Sequence, residues 1–264
     1  MWAAGPVAGG SYTSSTCFAE DLSGNVMGVV QAIDRVPSDP VAGGFYTVRE
    51  AARLLAIAQP AKITGWLRGY PGRETSPVIQ RQYEPIDAAQ ELGFWDLIEV
   101  RFVEHFRKQG VSLQSLRRAA ATARDLWKQR HPFATSNAKY LTDRREIFMH
   151  TAQDTGDKVL LNLVTDQFEM YTILESVLAK GLAFDPATGL AREWRPKPKE
   201  FPHVGLTPLL AYGQPAILPE GVPTLAIYKT WKAEDGSYAA TADWFEIAEE
   251  LAREAVEFEL GLPE

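Results

Sequence analysis

The sequence holds one cysteine, Cys17, in 264 residues, so no disulfide can close within the chain. A lone thiol fits a reducing cytoplasm, and with no motif around it Cys17 reads as inert. No apolar run approaches the roughly 18 residues that span a bilayer, so no membrane partner is expected. The N-terminus also lacks the basic start and apolar stretch of a signal peptide. There is no P-loop, no GxGxxG after a strand, no GxSxG and no HExxH. The four histidines are His105, His131, His150 and His203. None stands at metal-ligand spacing from another His, Cys or carboxylate. Asp154, Asp157 and Asp166 have no characteristic spacing, so no magnesium site is expected. These absences predict a protein that is not an enzyme, with no catalytic residues, no metal and no cofactor.

What is present is ordinary globular composition, 45% hydrophobic and 23% charged. The net charge of −7 argues, as a total, against nucleic acid. The total hides a split. Residues 1–40 carry net −3, residues 41–145 carry +7 (17 basic against 10 acidic), and residues 146–264 carry −11. A basic segment joined to an acidic one predicts two surfaces with different partners.

Residues 1–44 are rich in Gly, Ser, Ala and Thr and poor in large apolar residues, which predicts a flexible extension. A short helix is expected at 25–36. Residues 45–55 read FYTVREAARLL. Thr47 and Glu50 have capping-box spacing, and Ala51, Leu54 and Leu55 follow at helical spacing. Residues 61–68 read AKITGWLR, with Ile63, Trp66 and Leu67 on one face and Lys62, Thr64, Gly65 and Arg68 elsewhere. Two short helices with small and basic residues outward suit helix-turn-helix recognition. Lys and Arg there reach phosphates or guanine edges. After a turn at 70–72, residues 77–83 (PVIQRQY) alternate like a strand, so a wing carrying Arg73 and Arg81 is expected. Residues 94–109 form a buried helix stopped by Gly110. Ser112 caps the next helix, which ends before His131.

The order YTVREAARLL, WLRGY, a wing and VRFVEHFRKQGVSLQSLRRA resembles the MerR-type winged helix-turn-helix over residues 45–130. The resemblance implies DNA contacts from Arg49, Lys62, Thr64, Arg68, Arg73 and Arg81. MerR regulators dimerise through a long coiled-coil helix. Here the second helix of the pair ends near His131, so their DNA-untwisting mechanism does not carry over.

Residues 141–203 read as β-rich, with short strands at 145–150 and 158–164 and a helix near 168–178. A hairpin is expected at 182–194 around Asp185-Pro186-Ala187-Thr188-Gly189. Prolines 196, 198 and 202 mark a linker. Residues 204–262 resemble the domain-of-unknown-function-433 family. The resemblance rests on Gly213-Gln214-Pro215-Ala216-Ile217, Gly221-Val222-Pro223-Thr224 and Ala255-Val256-Glu257-Phe258-Glu259. Such domains are short helix-turn-helix-like bundles, and several are similar to VapB-type antitoxins encoded beside PIN-like ribonuclease toxins. From the residues themselves, Thr224 is placed to cap a helix at 225–233. Asp243, with Glu246, is placed to cap the final helix. Glu249, Glu250, Glu254 and Glu257 then make an acidic face, the candidate for a basic partner.

The expected fold class is mainly α with small β content (α+β). Its parts are an extension (1–44), a winged helix domain (45–135), a β-rich connection (136–203) and a three-helix antitoxin-like bundle (204–264). The expected function is a cytoplasmic, homodimeric antitoxin that binds its own promoter as double-stranded DNA and silences a PIN-like toxin protein. The alternative is a one-component transcription regulator with a small-molecule effector.

Overall fold

Thr47 starts the first described helix as its spacing predicts. Its hydroxyl accepts the Glu50 amide at 3.2 Å, and the Glu50 carboxylate accepts the Thr47 amide at 2.7 Å, a reciprocal capping box. The computed structural model describes residues 43–70, 76–84, 91–135, 138–165 and 180–263. All of them belong to one compact unit, residues 36–264. The expected extension, save Gly43 and Gly44, its helix at 25–36, the helix near 168–178 and Arg73 lie outside the described residues. Among the described residues the fold is mixed α/β, with nine α-helices and small antiparallel sheets.

Strand β1 (Tyr46–Thr47) leads into α1 (Val48–Leu54) and α2 (Pro60–Arg68). Pro60 at the first turn of α2 costs nothing, because that amide has no intrahelical partner. Ile63, Trp66 and Leu67 are buried, as their spacing predicts. Gly65 is not an outward position. It lies beneath Tyr70, and a Cβ there would stand 2.6 Å from the Tyr70 ring. Its small size serves close packing.

Residues 77–83 do not form the expected strand. The Val78 and Ile79 amides both donate to the Trp66 carbonyl, at 2.9 and 3.2 Å. The Gln82 amide donates to the Asp96 carboxylate, at 2.9 and 3.0 Å. Donors that a ladder would need are committed to α2 and to the next helix. The strand that does pair with β1 is β2 (Glu91–Leu92), with Tyr46 opposite Leu92.

Helices α3 (Phe94–Lys108) and α4 (Leu113–Trp127) match expectation. Gly110, at φ +91°, provides the left-handed turn that ends α3. The Ser112 hydroxyl accepts the Ser115 amide at 3.1 Å and starts α4. The region expected to be β-rich is instead helical over α5 (Ala138–Thr155) and α6 (Lys158–Thr165). In α5 the buried Ile147, Phe148, Thr151 and Ala152 recur with the helical period. Phe148 stacks on Phe106 of α3, with centroids 5.2 Å apart. In α6, Leu160, Leu163 and Val164 face the core. The apolar run at 158–164 is a helix flank that imitates a strand.

The hairpin of β3 (Leu182–Phe184) and β4 (Ala191–Trp194) forms as predicted. The Asp185 carboxylate accepts the Ala187 and Thr188 amides at 3.0 and 2.8 Å. A three-stranded antiparallel sheet follows: β5 (Val204–Gly205), β6 (Ala216–Ile217) and β7 (Val222–Pro223). Then come α7 (Thr224–Ala233), α8 (Tyr238–Phe245) and α9 (Glu249–Leu260). Two expected caps are absent. Thr224 lies inside α7 and donates its hydroxyl to Glu259 at 2.6 Å. Asp243 lies inside α8, which Ser237 caps, and α9 has no side-chain cap.

Two hydrophobic clusters fill the unit. One joins α1–α6, the hairpin and Leu206; the other joins α7–α9 to β5 and β6. Leu54 of α1 packs against both. Beside it, the Arg53 guanidinium meets Glu259 at 2.8 Å and donates to the carbonyls of Glu259 and Pro263. Glu259 is 4% exposed, so its charge depends on Arg53 and Thr224.

A second buried polar cluster lies under α3. Asp96 and Glu99 stand 3.7 and 3.5 Å from the His131 ring nitrogen Nδ1, and all three are buried. Burial raises the Asp96 carboxyl to about 6, while His131 and the Gln82 and Gly93 amides pull it down.

Two expectations follow. The folded value for Asp96 lies above its ordinary value of 3.8, so the folded protein holds the extra proton. Stability from this group is then fully present below that ordinary value and is lost as pH rises through the folded value. In urea titrations between about pH 4 and 7, the parent should lose about 2 kcal/mol that Asp96→Asn does not. Equal pH slopes in the two proteins would overturn the assignment. Separately, Glu259→Ala should destabilise by about 2 kcal/mol, less than a fully buried pair because Arg53 is partly solvated. An unchanged melting temperature would contradict that dependence.

Candidate nucleic-acid interface

Six residues apart on α2, Lys62 and Arg68 differ by about 240° around the helix axis, so they lie on different flanks. Both are exposed, as is Arg49 on α1, and Thr64 is half-buried. Lys62 lines a recess of about 290 Å³ between α2 and α3, with Arg107, Lys108 and Glu104. Lys108 pairs with Glu104 at 3.5 Å. Arg68 borders a separate cavity of about 370 Å³, with Arg81, Arg130 and Glu84. The structure thus brings Lys62 beside the end of α3, and Arg68 beside residues 77–84. It does not bring Lys62 and Arg68 together.

Arg81 is committed elsewhere. Its side chain is 9% exposed, stands 3.8 Å from the Glu91 carboxylate, and donates to the Glu91 carbonyl at 3.1 Å. It holds β2 against residues 77–84 in place of reaching outward from a wing. Arg53, not singled out by the sequence, is held at the end of α9.

On α9, Glu250 and Glu257 are exposed, and Glu249 pairs with Arg253 at 2.9 Å. Arg253 also lies over the Tyr238 ring, 4.2 Å from its centroid. Glu254 faces inward, with its side chain 12% exposed. It accepts the amides of His203 and Val204 at 2.7 and 3.2 Å, and meets His203 Nδ1 at 2.8 Å. It anchors β5, so the outward acidic set is Glu249, Glu250 and Glu257.

Spacing could not reveal the His203–Glu254 and His131–Glu99 pairs, because their members are 51 and 32 positions apart. Asp157, weighed as a scattered acid, turns out to be a local acceptor. It receives the Leu160 and Ser112 amides and the Ser115 hydroxyl. Against the opposing effect of burial, these bonds lower its carboxyl to about 2. Asp154 pairs with Arg118 at 2.9 Å. Asp166 lies outside the described residues. Among the described residues no three His, Cys, Asp or Glu side chains gather to hold a metal ion, and no helix is long and apolar enough to cross a membrane.

No family model matches the chain. The protein "Putative antitoxin VapB45" of Mycobacterium tuberculosis (strain ATCC 25618 / H37Rv) is 25% identical over 227 residues, covering 81% of this chain and 92% of that one. The crystal structure of Rv2018 from Mycobacterium tuberculosis superposes with a TM-score of 0.59 at 22% identity, covering 80% of this chain and 96% of that one. The described fold is therefore similar over nearly all of a solved chain, and a relative of similar extent carries the name of an antitoxin.

Proposed function

We propose that this chain is the antitoxin of a toxin–antitoxin pair. The observation that carries the reading is the near full-length likeness to a protein named as an antitoxin. The charge distribution supports it. Exposed Arg49, Lys62 and Arg68 sit on α1 and α2, and exposed Glu249, Glu250 and Glu257 sit on α9. In this reading α1 and α2 act as the helix-turn-helix, and a homodimer places two copies of α2 on paired half-sites of its own promoter. Thr64 and Arg68, about 160° and about 120° from Lys62 around the helix axis, give α2 two contact flanks. The acidic face of α9 steers and docks a PIN-like ribonuclease toxin through complementary charge. Inhibition is by occupation of the toxin, with no covalent chemistry and no cofactor.

Co-expression with the product of the adjacent gene tests the toxin half. The expected result is co-purification and rescue of growth. Lack of both, against a toxic neighbour, would overturn the antitoxin reading in favour of a one-component regulator. For the DNA half, Lys62→Ala and Arg68→Ala should each weaken a gel shift of the upstream region by about ten-fold. Unchanged binding in both would remove α2 as the reader.

A further inference from the structure

A groove of about 420 Å³ runs between α4 and residues 76–80, lined by Gln80, Arg117, Arg124, Asp125, Lys128 and Arg130 among others. It holds four cations against one carboxylate. Three of the cations are fixed in place by main-chain carbonyls. Arg117 Nε donates to Ser76 at 2.8 Å, Arg124 donates to Val78 at 3.1 Å, and Arg130 donates to Arg81. None of the four cations forms an ion pair within 4.0 Å with a carboxylate among the described residues. A carbonyl orients a guanidinium without neutralising it, and each guanidinium has five N–H donors. The groove therefore presents fixed, net positive charge with donors to spare. Burial lowers the Arg124 guanidinium, opposed by Glu99 and Asp125, so Arg124 is held where water is scarce.

The groove adjoins the cavity beside α2. Pro77, Gln80 and Arg130 line both, and the second reaches Leu67 and Arg68 at the end of α2. Cations thus recur from Arg68 at the end of α2, with Glu84 beside it, past residues 77–80 to the far end of α4, where Lys128 adopts a left-handed conformation at φ 52° and is exposed.

We infer that this groove is a phosphate-backbone track for duplex DNA, binding the strand that flanks the bases read by α2. The inference rests on the DNA-binding half of the proposed function and extends it to residues outside the helix pair. Backbone contacts from guanidinium and ammonium groups fix the register of a protein on a duplex without reading its sequence. They also release counterions, so each phosphate contact adds about 0.9 to the salt slope of binding. The groove should therefore act alike on every sequence, while α2 discriminates among them.

The test uses the full chain and two fluorescein-labelled duplexes, one from the region upstream of its own gene and one of arbitrary sequence. Gln80 and Lys128 are exposed and hold none of the three carbonyl anchors, so the variant Gln80→Glu/Lys128→Glu places negative charge in the groove without releasing residues 76–81. It should weaken both duplexes on the order of ten-fold and lower the salt slope by about 1. Asp125→Asn removes the groove's one carboxylate and should tighten both duplexes by about two-fold or more. This gain cannot arise from unfolding. If the parent binds DNA, and Lys62→Ala or Arg68→Ala weakens the upstream duplex while both groove variants bind like the parent, the inference is overturned and the α2 reading stands. If the parent binds neither duplex, both fall together.

Discussion

The carboxylate of Glu259 is the constraint on which the arrangement of the described unit turns. It is buried in α9, accepts a hydrogen bond from Thr224 in α7, and pairs with Arg53 of α1. A buried charge is tolerated only when it is paired and hydrogen-bonded. Satisfying it therefore fixes α7, α9 and α1 relative to one another. Arg53 also donates to the carbonyls of Glu259 and Pro263, giving the end of α9 the positive charge that its own acidic residues lack. Around that tie, the Tyr46 hydroxyl bonds to the Gly213 carbonyl, the Phe45 amide to the Tyr212 carbonyl, and the Gln214 side chain to the Phe45 carbonyl.

The basic region is organised by a comparable economy. Several of its cations are structural. Arg53 serves α9, Arg81 serves β2, and Arg144 is buried with donations to the carbonyls of Pro132 and Thr135. Residues 76–84 have no regular structure of their own. They are held by amide bonds to Trp66, by the Asp96 carboxylate and by the three arginines that reach their carbonyls. A segment with so few internal bonds keeps one shape because α2, α3 and α4 all grip it.

What was legible in the sequence was local chemistry. The Thr47–Glu50 box, the Gly110 stop, the Ser112 cap and the Asp185 turn each act within a few residues, and each stands as spacing predicts. The short apolar run at 158–164 carried no such mark. A run of that length has no period that separates a strand from a buried helical flank, and the answer came from packing on α5. Thr224 and Asp243 had capping identities but were overruled, one by a buried hydroxyl–carboxylate bond and the other by the earlier cap at Ser237. Of the candidate site, exposure of Lys62 and Arg68 was legible from helix phase. The inward turns of Arg81 and Glu254 depended on partners 10 and about 50 residues away. The groove along α4 was hidden because it is made where α4 meets an irregular segment.

The bond from Arg53 to Glu259 spans 206 positions of chain. Translation delivers the amino end first, and domains generally fold as units. When α1 leaves the ribosome, the carboxylate that receives its guanidinium has not yet been made. The neighbouring contacts of Phe45 and Tyr46 wait in the same way for residues 212–214. The contacts that tie the first described helix to α9 and to residues 212–214 therefore form only in a chain synthesised through its acidic end.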